Sequence, residues 1–142
     1  MIFNLESLAE RIYQLSILQQ NEVLTQLKKV QLNSLQARSL TYISQYPGTM
    51  QRDVAIYLGK KQATVTNILK GLQERQFIYR EIPKDNERQK NIFLTREGKQ
   101  IVSQVNQIFE QLDEKVRSGL TKEEQKQLKE NLLKVENHFK EQ

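Results

Sequence analysis

The chain has 142 residues, a formal net charge of +5, a pI of about 9.4, no cysteine and a single histidine, His138. That length suits one domain with a real core, while the missing thiols exclude a disulfide framework, a zinc finger and a thiol redox switch. One imidazole leaves only carboxylates for a metal site, so no metal and no cofactor are expected, and the lack of any apolar run near the roughly 20 residues of a membrane span, or of a signal-like N-terminus, predicts a soluble, cytoplasmic protein with no membrane partner.

In chain order, Leu5, Leu8, Ile12, Leu15 and Leu18, then Val23, Leu24 and Leu27, recur at helical spacing with a slip between them, predicting a long amphipathic first helix that ends near Lys29. Asn33 is a good N-cap for a second helix carrying Leu35, Ala37, Leu40 and Ile43, which stops at the Tyr46-Pro47-Gly48 turn. Gln51 to Leu58 reads as a short helix with Val54, Ala55 and Leu58 inward, broken by Gly59 where a sharp turn is needed. A further helix from about Gln62 to Arg75 has Val65, Ile68, Leu69 and Leu72 on one face.

Past Arg75 the period becomes extended. Residues 77–82 and 90–94 read as strands flanking a charged loop from Pro83 to Gln89, which makes a β-wing. Thr95 then caps a long helix whose apolar residues Ile101, Val105, Ile108, Leu112 and Val116 recur every three or four positions up to Gly119. Thr121 with Glu124 is a capping box opening a last helix with Leu128, Leu132, Val135 and Phe139 at heptad-like spacing. The fold class is mainly α with a small β-wing, a winged helix-turn-helix over residues 33–98 within a single domain of residues 1–142.

Charge points to what that element touches. From Gln51 to Lys90 there are nine cations (Arg52, Lys60, Lys61, Lys70, Arg75, Arg80, Lys84, Arg88, Lys90) against five anions, while the rest of the chain holds 13 against 12. The excess therefore sits on the helix-turn-helix and wing, as the footprint of a polyanion such as double-stranded DNA. Gln62, Thr64, Thr66 and Asn67, at the start of the second helix of the motif, carry the hydroxyls and amides that base edges and phosphates require; the bland reading is a solvated helix face. Arg88 in the wing suits a minor groove, or else a surface ion pair with Glu87 or Asp85. With Arg52, Lys60, Lys61, Lys70, Lys84 and Lys90, these are the expected DNA-binding residues.

The terminal helices, residues 1–30 and 100–142, carry more apolar surface than a reading head of this size covers. A second copy of the chain is the expected partner, with Leu5, Leu8, Ile12, Leu128, Leu132, Val135 and Phe139 in the interface; the alternative is that these helices fold back onto one monomer. No nucleophile elbow, phosphate loop or paired acid and base is present, so no enzyme is expected. A winged helix used as a protein-interaction module is the remaining alternative function.

Leu58-Gly59, Ala63-Thr64-Val65-Thr66, Arg88 and Leu94-Thr95-Arg96-Glu97-Gly98 stand in the order and spacing of the MarR family of bacterial winged-helix regulators, which nearly the whole chain resembles. Asn86 falls where that family's wing has an acid, Gln76 where a glycine commonly follows the recognition helix, and Lys60-Lys61 where an apolar residue and serine are usual. The resemblance implies a homodimeric transcriptional regulator, a repressor on a pseudo-palindromic operator. It also implies release by a small aromatic effector, for which Tyr13, Tyr42 and Tyr46, with Tyr57, are candidate pocket residues; tyrosines at helical spacing are otherwise plain packing.

Overall fold

Each helix boundary follows from a local signal. The structure, a computed structural model, describes residues 2–86 and 89–141. Helix α1 (Leu8–Lys29) begins three residues later than the apolar spacing predicts, because the Ser7 hydroxyl accepts the Glu10 N–H and fixes the cap, leaving Leu5 in the preceding turn. It closes through Gln31, a non-glycine residue at φ 58°. Helix α2 (Ser34–Gln45) opens with a reciprocal capping box, Asn33 Oδ1 accepting the Gln36 N–H at 2.8 Å and Gln36 Oε1 accepting the Asn33 N–H at 2.9 Å. Its face of Ala37, Leu40 and Ile43 is fully buried, and the buried Ser39 hydroxyl is satisfied by the Leu35 carbonyl.

Helices α3 (Gln51–Leu58) and α4 (Gln62–Glu74) form the helix-turn-helix. Gly59 joins them at φ 65°, a left-handed conformation that lets the Lys60 N–H turn back to the Ala55 carbonyl. Val65, Leu69 and Leu72 of α4 are wholly buried, and at about 1.5–3 kcal/mol each this stripe fixes which face of α4 points outward. Gln76 ends the helix at φ 64°, taking the left-handed place expected of a glycine.

The wing is an antiparallel pair, β1 (Ile78–Glu81) and β2 (Asn91–Leu94), with Ile78 opposite Leu94 and Arg80 opposite Ile92. Ile78, Ile92 and Leu94 face the core, and Tyr79 and Phe93 stack on the other side. Ile92 also pairs with Thr49, the Gly48 N–H and Thr49 carbonyl bonding its main chain at 2.8 Å each. The wing is thus hydrogen-bonded to the segment that enters α3.

Helix α5 (Arg96–Ser118) starts at Thr95, whose hydroxyl donates to the Gln76 carbonyl at 2.6 Å and accepts the Gly98 N–H at 2.9 Å, while its own N–H bonds the Phe77 carbonyl. A Cβ at Gly98 would collide with that Phe77 carbonyl. The Leu-Thr-x-x-Gly segment is therefore a joint that seats the first turn of α5 on the start of β1. The buried hydrophobic residues of α5 are Val102, Val105 and Leu112, so the inward stripe takes Val102 rather than the predicted Ile101, and Val116 is exposed.

The described chain divides into two compact units, one running to Phe109 and one from Glu110. The second holds the end of α5, a turn through Gly119 and helix α6 (Lys122–Lys140). Thr121 and Glu124 make the expected capping box, and the Gln125 amide donates to the Arg117 and Leu120 carbonyls across the turn. No residue of α6 is buried.

Candidate nucleic-acid interface

Because its apolar stripe is held inside, α4 turns Gln62, Thr64, Thr66, Asn67 and Lys70 outward, and all five are exposed. Lys60 and Lys61 precede the helix, also exposed, with Lys61 in the N-cap position but giving no side-chain cap. The first N–H groups of α4 therefore keep their donor capacity at the positive end of the helix dipole, flanked by two ammonium groups. That is a local arrangement suited to an anionic oxygen. Arg52 lies exposed in the first turn of α3, and Lys84 and Lys90 are exposed at either end of the wing loop. Arg88, with its neighbour Glu87, lies outside the described residues.

A residue absent from the sequence expectations organises this surface. Gln51, the first residue of α3, sends its Nε2 across the turn to Thr66 Oγ1 at 2.7 Å, Gln62 Oε1 at 3.1 Å and the Gln62 carbonyl at 3.3 Å. Thr66 donates its own hydroxyl proton to the Gln62 carbonyl at 2.9 Å. Thr66 consequently offers a partner only its methyl group and one remaining lone pair. No pattern in the sequence marks Gln51, since its bonds reach residues 11 and 15 positions away.

In the wing loop, Asn86 donates from Nδ2 to Gln89 Oε1 at 3.4 Å and Gln89 donates to Asn91 Oδ1 at 3.1 Å. A chain of neutral amides therefore braces the region where the family resemblance leads one to expect an acid.

Of the candidate effector residues, Tyr42 and Tyr46 come together with Tyr57: the Tyr42 ring centroid lies 4.8 Å from Tyr46 and 4.9 Å from Tyr57. With Thr41 and Gln45 they line a recess of about 170 Å³. Tyr13 stands exposed on α1 and does not line it. A larger cavity of about 690 Å³ lies between α1, α2 and α3, with Leu24, Leu35, Tyr57 and Leu58 as apolar wall and Arg38 and Lys60 as its cations. Sequence periodicity did not reveal it, because a cavity is a mismatch between faces rather than a property of one.

Leu5 and Leu8, ahead of and opening α1, are exposed, as is Ile12. On α6, Leu128, Leu132, Leu133, Val135 and Phe139 are all exposed, Phe139 by 75%. Among the described residues no helix is long and apolar enough to cross a membrane, and no group of three or more His, Asp or Glu side chains is placed to hold a metal ion.

A family model described as the MarR family matches residues 32–90, which is the whole of the helix-turn-helix and most of the wing. Among solved structures, the chain is similar to Staphylococcus aureus MepR in complex with DNA, at 27% identity and a TM-score of 0.86 over 96% of this chain and 99% of that one. It is also similar to MepR described as a transcription regulator of the S. aureus multidrug efflux pump MepA, at 27% identity and a TM-score of 0.71 over 94% and 98%. The transcriptional regulator SlyA, 22% identical, shares the fold at a TM-score of 0.88 over 95% of each chain. No curated protein matches the chain. The match to the MarR family model thus covers the reading head, and the structural likeness to MepR runs from one end of the chain to the other.

Proposed function

We propose that the protein is a transcriptional regulator that binds double-stranded DNA as a homodimer, acting as a repressor at a pseudo-palindromic operator. The observation that carries this reading is α4, whose buried Val65, Leu69 and Leu72 stripe aims Gln62, Thr64 and Asn67 outward behind an uncapped N-terminus flanked by Lys60 and Lys61. Such a helix presents amides and a hydroxyl to base edges in a major groove while the ammonium groups hold phosphates. MepR, similar along its whole length, has been solved with DNA. The exposed apolar side chains of α1 and α6 supply the two-fold contact, and two reading heads related by that axis match two half-sites.

Arg88 in the wing is assigned to a flanking minor groove; Arg88→Ala should then weaken binding by about 1 to 3 kcal/mol, most at narrow A-tract flanks. For release, we assign an aromatic acid to the cavity that Arg38 and Lys60 help to line, because its apolar wall accepts a ring and these two residues are cationic. Lys60 also belongs to the turn that leads into α4, so an occupant there bears on the reading helix. Selection of bound sequences from a random DNA pool is the decisive experiment. Recovery of a two-fold-related motif whose binding falls steeply with salt is expected, and retention of no DNA at low salt would overturn the reading.

A further inference from the structure

We infer that Gln51, a residue of the supporting helix α3, sets which bases Gln62 accepts, by fixing the direction of the Gln62 side-chain amide. This rests on the reading of α4 as the helix that enters the major groove.

The argument is one of donors and acceptors. The Thr66 hydroxyl spends its proton on the Gln62 main-chain carbonyl, so toward Gln51 it can only accept. Gln51 meets it with one proton of its NH₂ group at 2.7 Å, which fixes the Gln51 amide and leaves the second proton beside Gln62. That nitrogen lies 3.1 Å from the Gln62 side-chain amide, and a donor facing it draws the oxygen, Oε1. The Gln62 NH₂ is thereby turned away, toward the outer face of α4. A free glutamine on a recognition helix can pair with adenine through one donor and one acceptor. With its acceptor tied to Gln51, Gln62 offers donors, which suit guanine O6 and N7 and are met by nothing on the cytosine edge but another donor. The base preference of one residue is thus written by another on the neighbouring helix.

Reversing the polarity of Gln51 should reverse the preference. In Gln51→Glu the carboxylate accepts, so it draws the Gln62 NH₂ inward and turns Oε1 outward, toward bases that donate: adenine through N6 or cytosine through N4. Gln51→Met keeps the length and removes the hydrogen bonds, which frees the Gln62 amide to rotate. Sequence selection with the full-length wild type, both variants and Gln62→Ala tests this, with thermal melting of each protein alongside.

At the base pair whose preference Gln62→Ala erases, wild type should favour guanine over cytosine by at least about tenfold. Gln51→Glu should shift that ratio toward adenine or cytosine by a similar factor, and Gln51→Met should flatten it. In the Gln62→Ala background, Gln51→Glu should leave the ratio unchanged. The carboxylate lowers affinity for all DNA by repelling phosphate, so the readout is the ratio between bases. If both Gln51 variants melt as wild type and keep its base ratio to within about twofold, Gln51 only braces the turn and the inference is overturned. A wild type that binds DNA without preference at any position would instead overturn the reading of α4 as a base reader, and the inference with it.

Discussion

Helices α2 and α6 are built by the same rules and end in opposite conditions. Each opens with a capping box and carries apolar residues at helical spacing, yet α2 buries Ala37, Leu40 and Ile43 completely while α6 leaves Leu128, Leu132, Leu133, Val135 and Phe139 exposed. Apolar periodicity predicts that a face will be covered but not what covers it. For α2 the cover comes from the chain itself. For α6 the proposed cover comes from outside, since exposed side chains in a row on one helix are what a homodimer interface looks like when one protomer is viewed alone.

The largest effect should come from breaking that outside cover. Leu128→Glu with Leu132→Glu places two carboxylates on the α6 face, and the protein should sediment as a folded monomer. Losing the second reading head removes the gain from tethering two half-sites, so operator affinity should fall about a hundredfold or more. A double variant that still sediments as a dimer would take α6 out of the interface. The companion change is Leu40→Ala, which cuts a cavity inside the reading head and should cost about 2–5 kcal/mol of unfolding free energy in a denaturant melt. Leu132→Ala, by contrast, should leave the intrinsic stability of the monomer nearly unchanged while weakening its association.

A second contrast separates residues that hold the reading head together from residues that read. Gly98→Ala should destabilise the protein by about 3 kcal/mol, because the new Cβ meets the Phe77 main-chain carbonyl, which cannot rotate away as a side chain would. DNA binding below the melting temperature should be disturbed only through that joint. Lys61→Ala should leave the melting curve alone, weaken binding to operator and random DNA about equally, and reduce the salt slope by about 1. Thr64→Ala and Asn67→Ala should instead alter base preference, and equal losses on operator and random DNA for all three would show that α4 does not read bases.

The same contrast marks how far the sequence could be read. Elements whose signals are local were legible: the Asn33 and Thr121 caps, Gly59 in its turn and the buried stripe of α4 all follow from residues within one turn of each other. Where a signal was local but short it was overrun, as with Ser7, which starts α1 beyond Leu5 although the apolar spacing continues through it. What stayed hidden was relational. Gln51 looks like any polar residue at a helix start until the turn brings Gln62 and Thr66 to its amide. Val102 replaces Ile101 on the inward face of α5 because that register is set by what the helix lies against, and the cavity that Arg38 helps to line exists only once three helices are assembled.

The smallest expected effect tests the two capping boxes against each other. In α2 the reciprocal acceptor is the neutral amide of Gln36; in α6 it is the carboxylate of Glu124. Hydrogen bonds from the Thr121 main chain, and then from its side chain, hold the Glu124 carboxyl below its ordinary value of 4.5. A carboxyl whose folded value is depressed contributes stability above the unfolded value and loses it as pH falls through the folded one. Acidification from pH 5 should therefore fray the first turn of α6 and leave that of α2 intact, an asymmetry visible as faster amide exchange at Thr121 and Glu124 but not at Asn33 or Gln36. Glu124→Gln should remove it, since its amide oxygen still accepts the Thr121 N–H but no longer titrates. Because the carboxylate is fully exposed, the difference should appear in local exchange before it appears in the melting temperature. Equal exchange at the two helix starts across that pH range would mean that the Thr121 bonds do not hold the α6 terminus in solution.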